Sequence, residues 1–435
     1  MKTDEPTVLV IFGISGDLSK RSLLPAIADI AEAKVLPDKF KVIGITRQKD
    51  FNIEEAIKSI QNNSFLKENI EIFSMDVNNF DEYNLLKNKV LNIKDSFGEE
   101  AQYIFYLSVP PEACGVIIEN LGKVGFQNSK LLLEKPFGTD LKSAEELSLH
   151  IKNHFPSENV YRIDHYLAKE TAQNIIVFRT GNSLFKKTWN KDFIEKIEII
   201  VSEQIGIEGR ANFYEQTGAL RDFTQSHLLQ LSALILMNLP ENEEYEKVPD
   251  LRLEALKNLY ISDIQKVKRG QYEGYQNEVQ NPTSGVETFM SLELFSKDPN
   301  WKDVPILLKT GKNMSEKFTQ IIISYKKNKE AESNKLSLCL QPKEAIEFDI
   351  WTKKPGFDHQ KEFKALSFAF KEHYGKLPKA YEQVIWSAVK GDRSLFAGGK
   401  EILESWRILD PVQQKWKERK DDLFIYPKGQ DIRLL

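Results

Sequence analysis

The chain has 435 residues, 41% of them apolar and 29% charged, with 60 Lys and Arg against 64 Asp and Glu. That length can bury two cores, and a net charge of −4 excludes a global attraction to nucleic acid or to an acidic membrane surface. Cys114 and Cys339 lie far apart with no metal or redox spacing. No run approaches the roughly 20 apolar residues of a membrane span, and the first residues carry no leader pattern, so the expected location is cytoplasmic.

Thr7–Phe12 is an unbroken apolar run, as in a strand buried on both faces of a parallel sheet. Gly13-Ile-Ser15-Gly16-Asp17-Leu18 follows, with Ser19 at the third glycine position of a dinucleotide fingerprint, and Leu23, Leu24, Ile27 and Ile30 then repeat with helical period. Strand, glycine turn and helix is the order that brings a pyrophosphate to a helix N-terminus. Lys41–Thr46 reads as the second strand. Arg47 stands at its carboxyl end with no acid before Asp50, which favours a 2′-phosphate, hence NADP, over a 2′-hydroxyl. Ile70–Met75 and Gln102–Leu107 read as further strands around a helix near Asp81–Leu91. Ser108-Val-Pro110-Pro111 and Glu134-Lys135-Pro136-Phe137-Gly138 follow the fourth and fifth strands, where open parallel sheets bind ligands. The alternation predicts a doubly wound, Rossmann-like sheet over residues 1–163.

Arg162-Ile-Asp164-His165-Tyr166-Leu167-Ala168-Lys169-Glu170 packs an acid, an imidazole, a phenol and a lysine into six residues. A helix beginning near Asp164 and running to about Thr180 would set His165, Tyr166 and Lys169 on one face of a first turn suited to a phosphate. A polar helix cap is the simpler alternative. Beyond it, Ile194–Ser202, Glu287–Phe295, Phe318–Lys326, Lys335–Leu340 and Ala345–Thr352 are strand-like without a βαβ rhythm, which predicts an α+β second domain, 164–435, with a large, mostly antiparallel sheet. Helical patterns at Ala219–Met237, Asp250–Val267 and Ala380–Lys390 are expected to cover one face of it. In Gly218-Ala-Leu-Arg-Asp222-Phe-Thr-Gln-Ser226-His227, a polar acid and an imidazole interrupt apolar neighbours. Read alone, that imidazole is better explained as a hydrogen-bonded core histidine than as a base. Lys309, Lys312 and Lys317 crowd one loop, and Gln341-Pro and Trp351-Thr-Lys-Lys-Pro-Gly356 follow.

The stretch at Arg162–Glu170 resembles the Arg-Ile-Asp-His-Tyr-Leu-Gly-Lys-Glu signature of the glucose-6-phosphate dehydrogenase family, with Ala168 in place of Gly. The glycine turn, the Glu134–Gly138 block, the Gly218–His227 block, with Ser226 in place of Asn, and the closing segment from Ala380 to Gly429 are similar to that family in the same order. The resemblance implies oxidation of glucose 6-phosphate at C1 by NADP, giving 6-phosphogluconolactone. It implies His227 as the base and Asp164 as its partner; His165, Tyr166, Lys169 and Lys317 on the phosphate; and Lys135, Glu203, Asp222, Lys312 and Gln341 on the sugar hydroxyls. Gly13, Ser15, Gly16, Asp17, Leu18, Arg47, Pro110 and Lys135 would hold the cofactor. It further implies a homodimer or dimer of dimers, with no metal and no nucleic-acid or membrane partner. Two other readings stay open on the residues alone: another sugar oxidoreductase sharing the nucleotide half, and a non-catalytic sugar-phosphate or NADPH sensor.

Overall fold

Six strands account for the apolar runs of the first 163 residues: β1 (Thr7–Phe12), β2 (Phe40–Thr46), β3 (Ile70–Ser74), β4 (Gln102–Leu107), β5 (Lys130–Leu133) and β6 (Val160–Ile163). In the computed structural model, which describes residues 4–61, 63–239, 244–327, 332–418 and 422–435, they pair in parallel in the order β6-β5-β4-β1-β2-β3. Helices Leu24–Glu32, Phe80–Phe97, Pro111–Lys123 and Leu141–His154 supply the crossovers. Order reverses between β1 and β4, which share a register from Thr7↔Gln102 to Phe12↔Leu107. The crevice beyond their carboxyl ends is therefore the expected ligand site.

The chain divides into two compact units, and the division is not one cut at 163/164. The first holds the chain to Gly138, then Lys142–Ala168 and, much later, Pro378–Gly399. The two-residue strand Phe396–Ala397 extends the first sheet, pairing antiparallel with β6. Helix Ala380–Lys390, expected on the second sheet, instead buries Val384, Ile385, Ala388 and Val389 in one core with Leu24, Ile27 and Tyr106 of the first unit. Its apolar stripe was legible, but a stripe does not say which sheet it will cover.

The second unit is built on β7 (Ile194–Ser202), β8 (Leu259–Ile261), β9 (Lys268–Tyr272), β10 (Phe289–Ser296), β11 (Ile306–Gly311), β12 (Phe318–Tyr325), β13 (Lys335–Gln341), β14 (Ala345–Lys353) and β15 (Lys361–Ala369). Their order is β15-β14-β13-β12-β7-β11-β10-β9, with Leu423–Tyr426 beyond β9 and β8 beside β10. Among the described strands of this sheet, β7 with β11 and β9 with Leu423–Tyr426 run parallel, and the other pairs are antiparallel. The second helical expectation was too long. The helix Val248–Asn258 stops where Leu259–Ile261 pairs with Leu294–Ser296, because strand pairing overrides a weak helical preference. Ala219–Met237 is divided as well: Gly218, at φ +66°, ends one helix, and Leu220–Leu228 is wound as a π-helix before Leu229–Leu236 returns to α.

The signature stretch does not open a helix at Asp164. The Asp164 carboxylate accepts from the Tyr166 N–H at 3.0 Å, and the Asp164 carbonyl accepts from the Leu167 N–H at 3.0 Å. This closes a turn over His165–Ala168 and delays the helix to Glu170–Gly181. A shared helical face for His165 and Lys169 is thus ruled out. Ala168 is neither left-handed nor helical: it sits in the turn with no positive φ, 0% exposed, its methyl inside the first unit's core.

Candidate active site

In the first unit the glycine turn and the segment after β4 enclose a cleft of about 440 Å³. Gly13, Ser15, Gly16, Thr46, Arg47, Met75, Ser108, Pro110 and Glu112 are among its walls. Gly13 lies at φ +84°, and a Cβ there would stand 2.1 Å from the Ser108 carbonyl oxygen, so this crossing of β1 and β4 accepts only glycine. Ser19, at the third fingerprint position, is fully buried and donates its hydroxyl to the Gly13 carbonyl at 2.9 Å, pinning the turn that a glycine would leave slack. Ser15 and Thr46 share a hydroxyl hydrogen bond at 3.0 Å across the strand ends. Arg47 is exposed at the lip. Asp17 and Leu18 are not among the lining residues; Asp17 is exposed and pairs with Arg21 at 2.7 Å. These walls fit a dinucleotide: a glycine cradle that a Cβ would fill, hydroxyls at the strand ends, and a cation at the rim.

Beyond β5 and β6 of the same unit stand Glu134, Lys135 and the Asp164–Tyr166 turn. Burial pushes the Glu134 carboxyl up, while hydrogen bonds from the Tyr106 and Tyr381 hydroxyls oppose the shift. Tyr381 also stacks under the His165 ring, with centroids 6.4 Å apart at 12°, and His165 packs on Tyr166 at 4.9 Å. Asp164 is 2% exposed.

The second unit gathers the remaining polar residues in two groups. Lys169, at the N-cap of helix Glu170–Gly181, donates to the Gln341 Oε1 at 3.1 Å, and Gln341 donates onward to the Thr319 hydroxyl at 2.9 Å. Burial pushes the Lys169 ammonium below its usual range; Glu344 opposes this and the Lys317 charge adds to it. Gln341, assigned by resemblance to the sugar hydroxyls, thus lies against the lysine assigned to the phosphate. In the second group Lys312, 2% exposed, bonds Glu203, stands 3.7 Å from Asp222, and lies over the rings of Tyr214 and Phe223 at 5.0 and 5.4 Å. Burial first, then Asp222 and Glu287, raise the Tyr214 phenol. His227, on the π-wound helix with Asp222, is 2% exposed and meets the Phe223 ring edge to face at 5.7 Å.

Comparison with known proteins decides the family. Residues 10–174 match the model of the glucose-6-phosphate dehydrogenase NAD binding domain and residues 176–431 that of the C-terminal domain. The chain belongs to the glucose-6-phosphate dehydrogenase family. It is 34% identical to the glucose-6-phosphate 1-dehydrogenase of Chlamydia muridarum, over 95% of this chain and 91% of that one. Among solved structures, a glucose-6-phosphate dehydrogenase in complex with its substrate glucose-6-phosphate superposes with a TM-score of 0.92 at 29% identity, covering 99% of this chain and 96% of that one. The enzyme from Mycobacterium avium superposes at 0.85 with 26% identity over 98% and 95%.

Within this glucose-6-phosphate dehydrogenase fold, sequence reasoning missed several neighbours of the site. Tyr214 and Phe223 wall the Lys312 group, and only tertiary packing brings Tyr214 there. Tyr381 belongs to a closing segment that reads as a plain amphipathic helix. Asn78 and Val77, on the loop after β3, line the cleft without a motif. A fourth omission lies elsewhere: Glu119, His150 and His154 converge from two helices, whereas the sequence suggests no metal cluster.

Proposed function

We propose that the chain oxidises glucose 6-phosphate at C1 with NADP, forming 6-phosphogluconolactone and NADPH. The observation that carries this reading is the π-wound helix Leu220–Leu228, on which buried His227 and the Asp222 carboxylate beside Lys312 stand five residues apart. A base and a hydroxyl-orienting group on one rigid element are what oxidation of a ring alcohol requires. NADP, when bound, supplies the acceptor for the C1 hydride. His227 takes the C1 hydroxyl proton, since neutral imidazole is the base whose ordinary pKa lies nearest working pH. Lys312 donates to sugar oxygens while Glu203 and Asp222 accept from hydroxyls. Lys169 and Lys317 hold the phosphate, because a dianion between them offsets both the burial and the Lys317 charge that lower Lys169. Exposed Arg47, at the end of β2, supports NADP over NAD.

Purified protein mixed with glucose 6-phosphate and NADP should raise the absorbance of reduced nicotinamide, and no turnover would remove the reading. His227→Asn should keep substrate affinity while lowering kcat by roughly 10²–10⁴; Asp164→Asn should lower kcat as well, through the wrong imidazole tautomer. Arg47→Ala should weaken NADP by about 1.5–3 kcal/mol and NAD much less, and equal losses would sink its role. Lys169→Ala should act mainly on KM for the sugar phosphate. The same proposal includes a homodimer or dimer of dimers, which a monomer mass in light scattering would refute, acting in the cytoplasm.

A further inference from the structure

Helices Pro111–Lys123 and Leu141–His154 are crossovers on the first sheet, and the sequence gives them no role beyond covering it. Their contact carries three groups of one chemistry. His150 and His154 are four residues apart, so both rings project from the same face of one helix, and Glu119 faces them from the other. One ligand atom from each lies within 4.8 Å of the other two, and all three side chains are only partly exposed. The ring centroids of the two histidines are 5.1 Å apart.

From this we infer a binding site for a divalent late transition ion of the zinc type, held by Glu119, His150 and His154 and bridging the two helices. Two imidazoles and a carboxylate on a partly open surface suit zinc and its neighbours, while hard calcium and magnesium sites use oxygen alone. A tetrahedral zinc with bonds of about 2.0–2.1 Å needs its donors roughly 3.3 Å apart. The three groups must therefore close by at most about 1.5 Å, within the reach of half-exposed side chains. Three protein ligands leave the fourth position to water.

Two further features prepare the group. His150 Nε2 stands 3.0 Å from the Gly115 carbonyl, a bond that needs a proton on Nε2 and so orients the ring, as backbone acceptors do for ligating histidines. Gly122 opens room beside His154: a Cβ there would stand 3.0 Å from the His154 Cβ and 3.1 Å from its Nδ1. Lys123 competes, since its ammonium bonds Glu119 at 2.5 Å and must be displaced. The site is separate from the dinucleotide cleft, because Glu119 lies about 12 Å of helix rise beyond Pro111.

The test is a zinc titration of the full chain, with zinc chloride in competition with a chromophoric chelator. Wild type should take up one equivalent, and His150→Gln/His154→Gln should bind it at least about tenfold more weakly. Lys123→Gln should bind it more tightly by removing the competing cation. Cobalt should give the intense visible bands of a four-coordinate site in wild type and lose them in the double variant. Circular dichroism and turnover of the metal-free variants, unchanged from wild type, show that the fold is kept. Equal zinc uptake by wild type and the double variant would overturn the inference, as would no uptake by wild type.

Discussion

Replacing Gly13 by alanine, with Gly98→Ala as its counterpart, separates the two demands made on a glycine. Both lie in the left-handed region, at φ +84° and +73°, so alanine pays about 1–2 kcal/mol of backbone strain at either. At Gly98, the residue that caps the C-terminus of helix Phe80–Phe97, a new Cβ meets nothing within 4 Å. At Gly13 it would lie 2.1 Å from the Ser108 oxygen, 2.9 Å from the Ser108 carbonyl carbon and 3.2 Å from Val109 Cγ1. Ser108 cannot retreat freely, being held by its N–H to the Phe12 carbonyl at 3.0 Å. Nor can the turn itself move, because the Gly13 carbonyl accepts from the Ser19 hydroxyl and the Gly16 N–H, both at 2.9 Å. Overpacking adds about 1–3 kcal/mol, and one weakened hydrogen bond about 1. Urea unfolding should therefore show a loss of about 1–2 kcal/mol for Gly98→Ala and about 3–6 for Gly13→Ala. The dissociation constant for NADPH, read by fluorescence, should rise at least about tenfold only in Gly13→Ala, since Gly13 and Ser108 both wall the cleft. Equal losses in the two variants, with unchanged cofactor affinity, would refute the steric argument.

Arg252 and Glu401, 0% and 1% exposed, form a two-point ion pair at 2.9 and 3.4 Å. Arg252→Met should cost about 3–5 kcal/mol by stranding a buried carboxylate, and adding Glu401→Leu should recover much of it; an additive double variant would contradict this. Burial pushes the Glu287 carboxyl up, and the Leu220 N–H at 2.9 Å only partly offsets it. Since the folded pKa exceeds the unfolded one, the contribution of Glu287 is full below about pH 4.3 and is lost as pH rises through the folded value. The stability of wild type relative to Glu287→Gln should therefore fall with pH and then level, and a difference that grows with pH would contradict the sign. Ala168→Gly, which restores the family residue, should destabilise by about 1–2 kcal/mol in thermal unfolding, since the methyl is buried and φ is not positive; a gain in stability would show strain at Ala168.

The first sheet was legible because strands buried on both faces read as unbroken apolar runs, and β1 is buried throughout. β15 was not: Lys361, Glu362 and Lys364 interrupt its alternation, and most of it is exposed, so no period survives. Phe396–Ala397 is too short for any window, and only pairing with β6 makes it a strand. At Asp164 the residue types were read but their conformation was not, because a carboxylate that captures the Tyr166 N–H competes with helix for the same donor. The joining of Glu119 to His150 and His154 depends on how two helices pack, which no single segment encodes.

The return of Pro378–Gly399 to the first unit has a consequence during synthesis. The apolar flank that Leu24 and Ile27 present to Val384, Ile385 and Ala388, and the Gln102 side-chain amide that donates to the Val389 carbonyl at 2.9 Å, await a segment made more than two hundred residues later. At translation rates of about 5–20 residues per second that interval lasts on the order of ten seconds or more, with a greasy flank open to chaperones. A ribosome-stalled chain ending near Ala168 should accordingly bind a hydrophobic dye and yield to protease. A separate peptide spanning Pro378–Gly399, added in trans, should protect it.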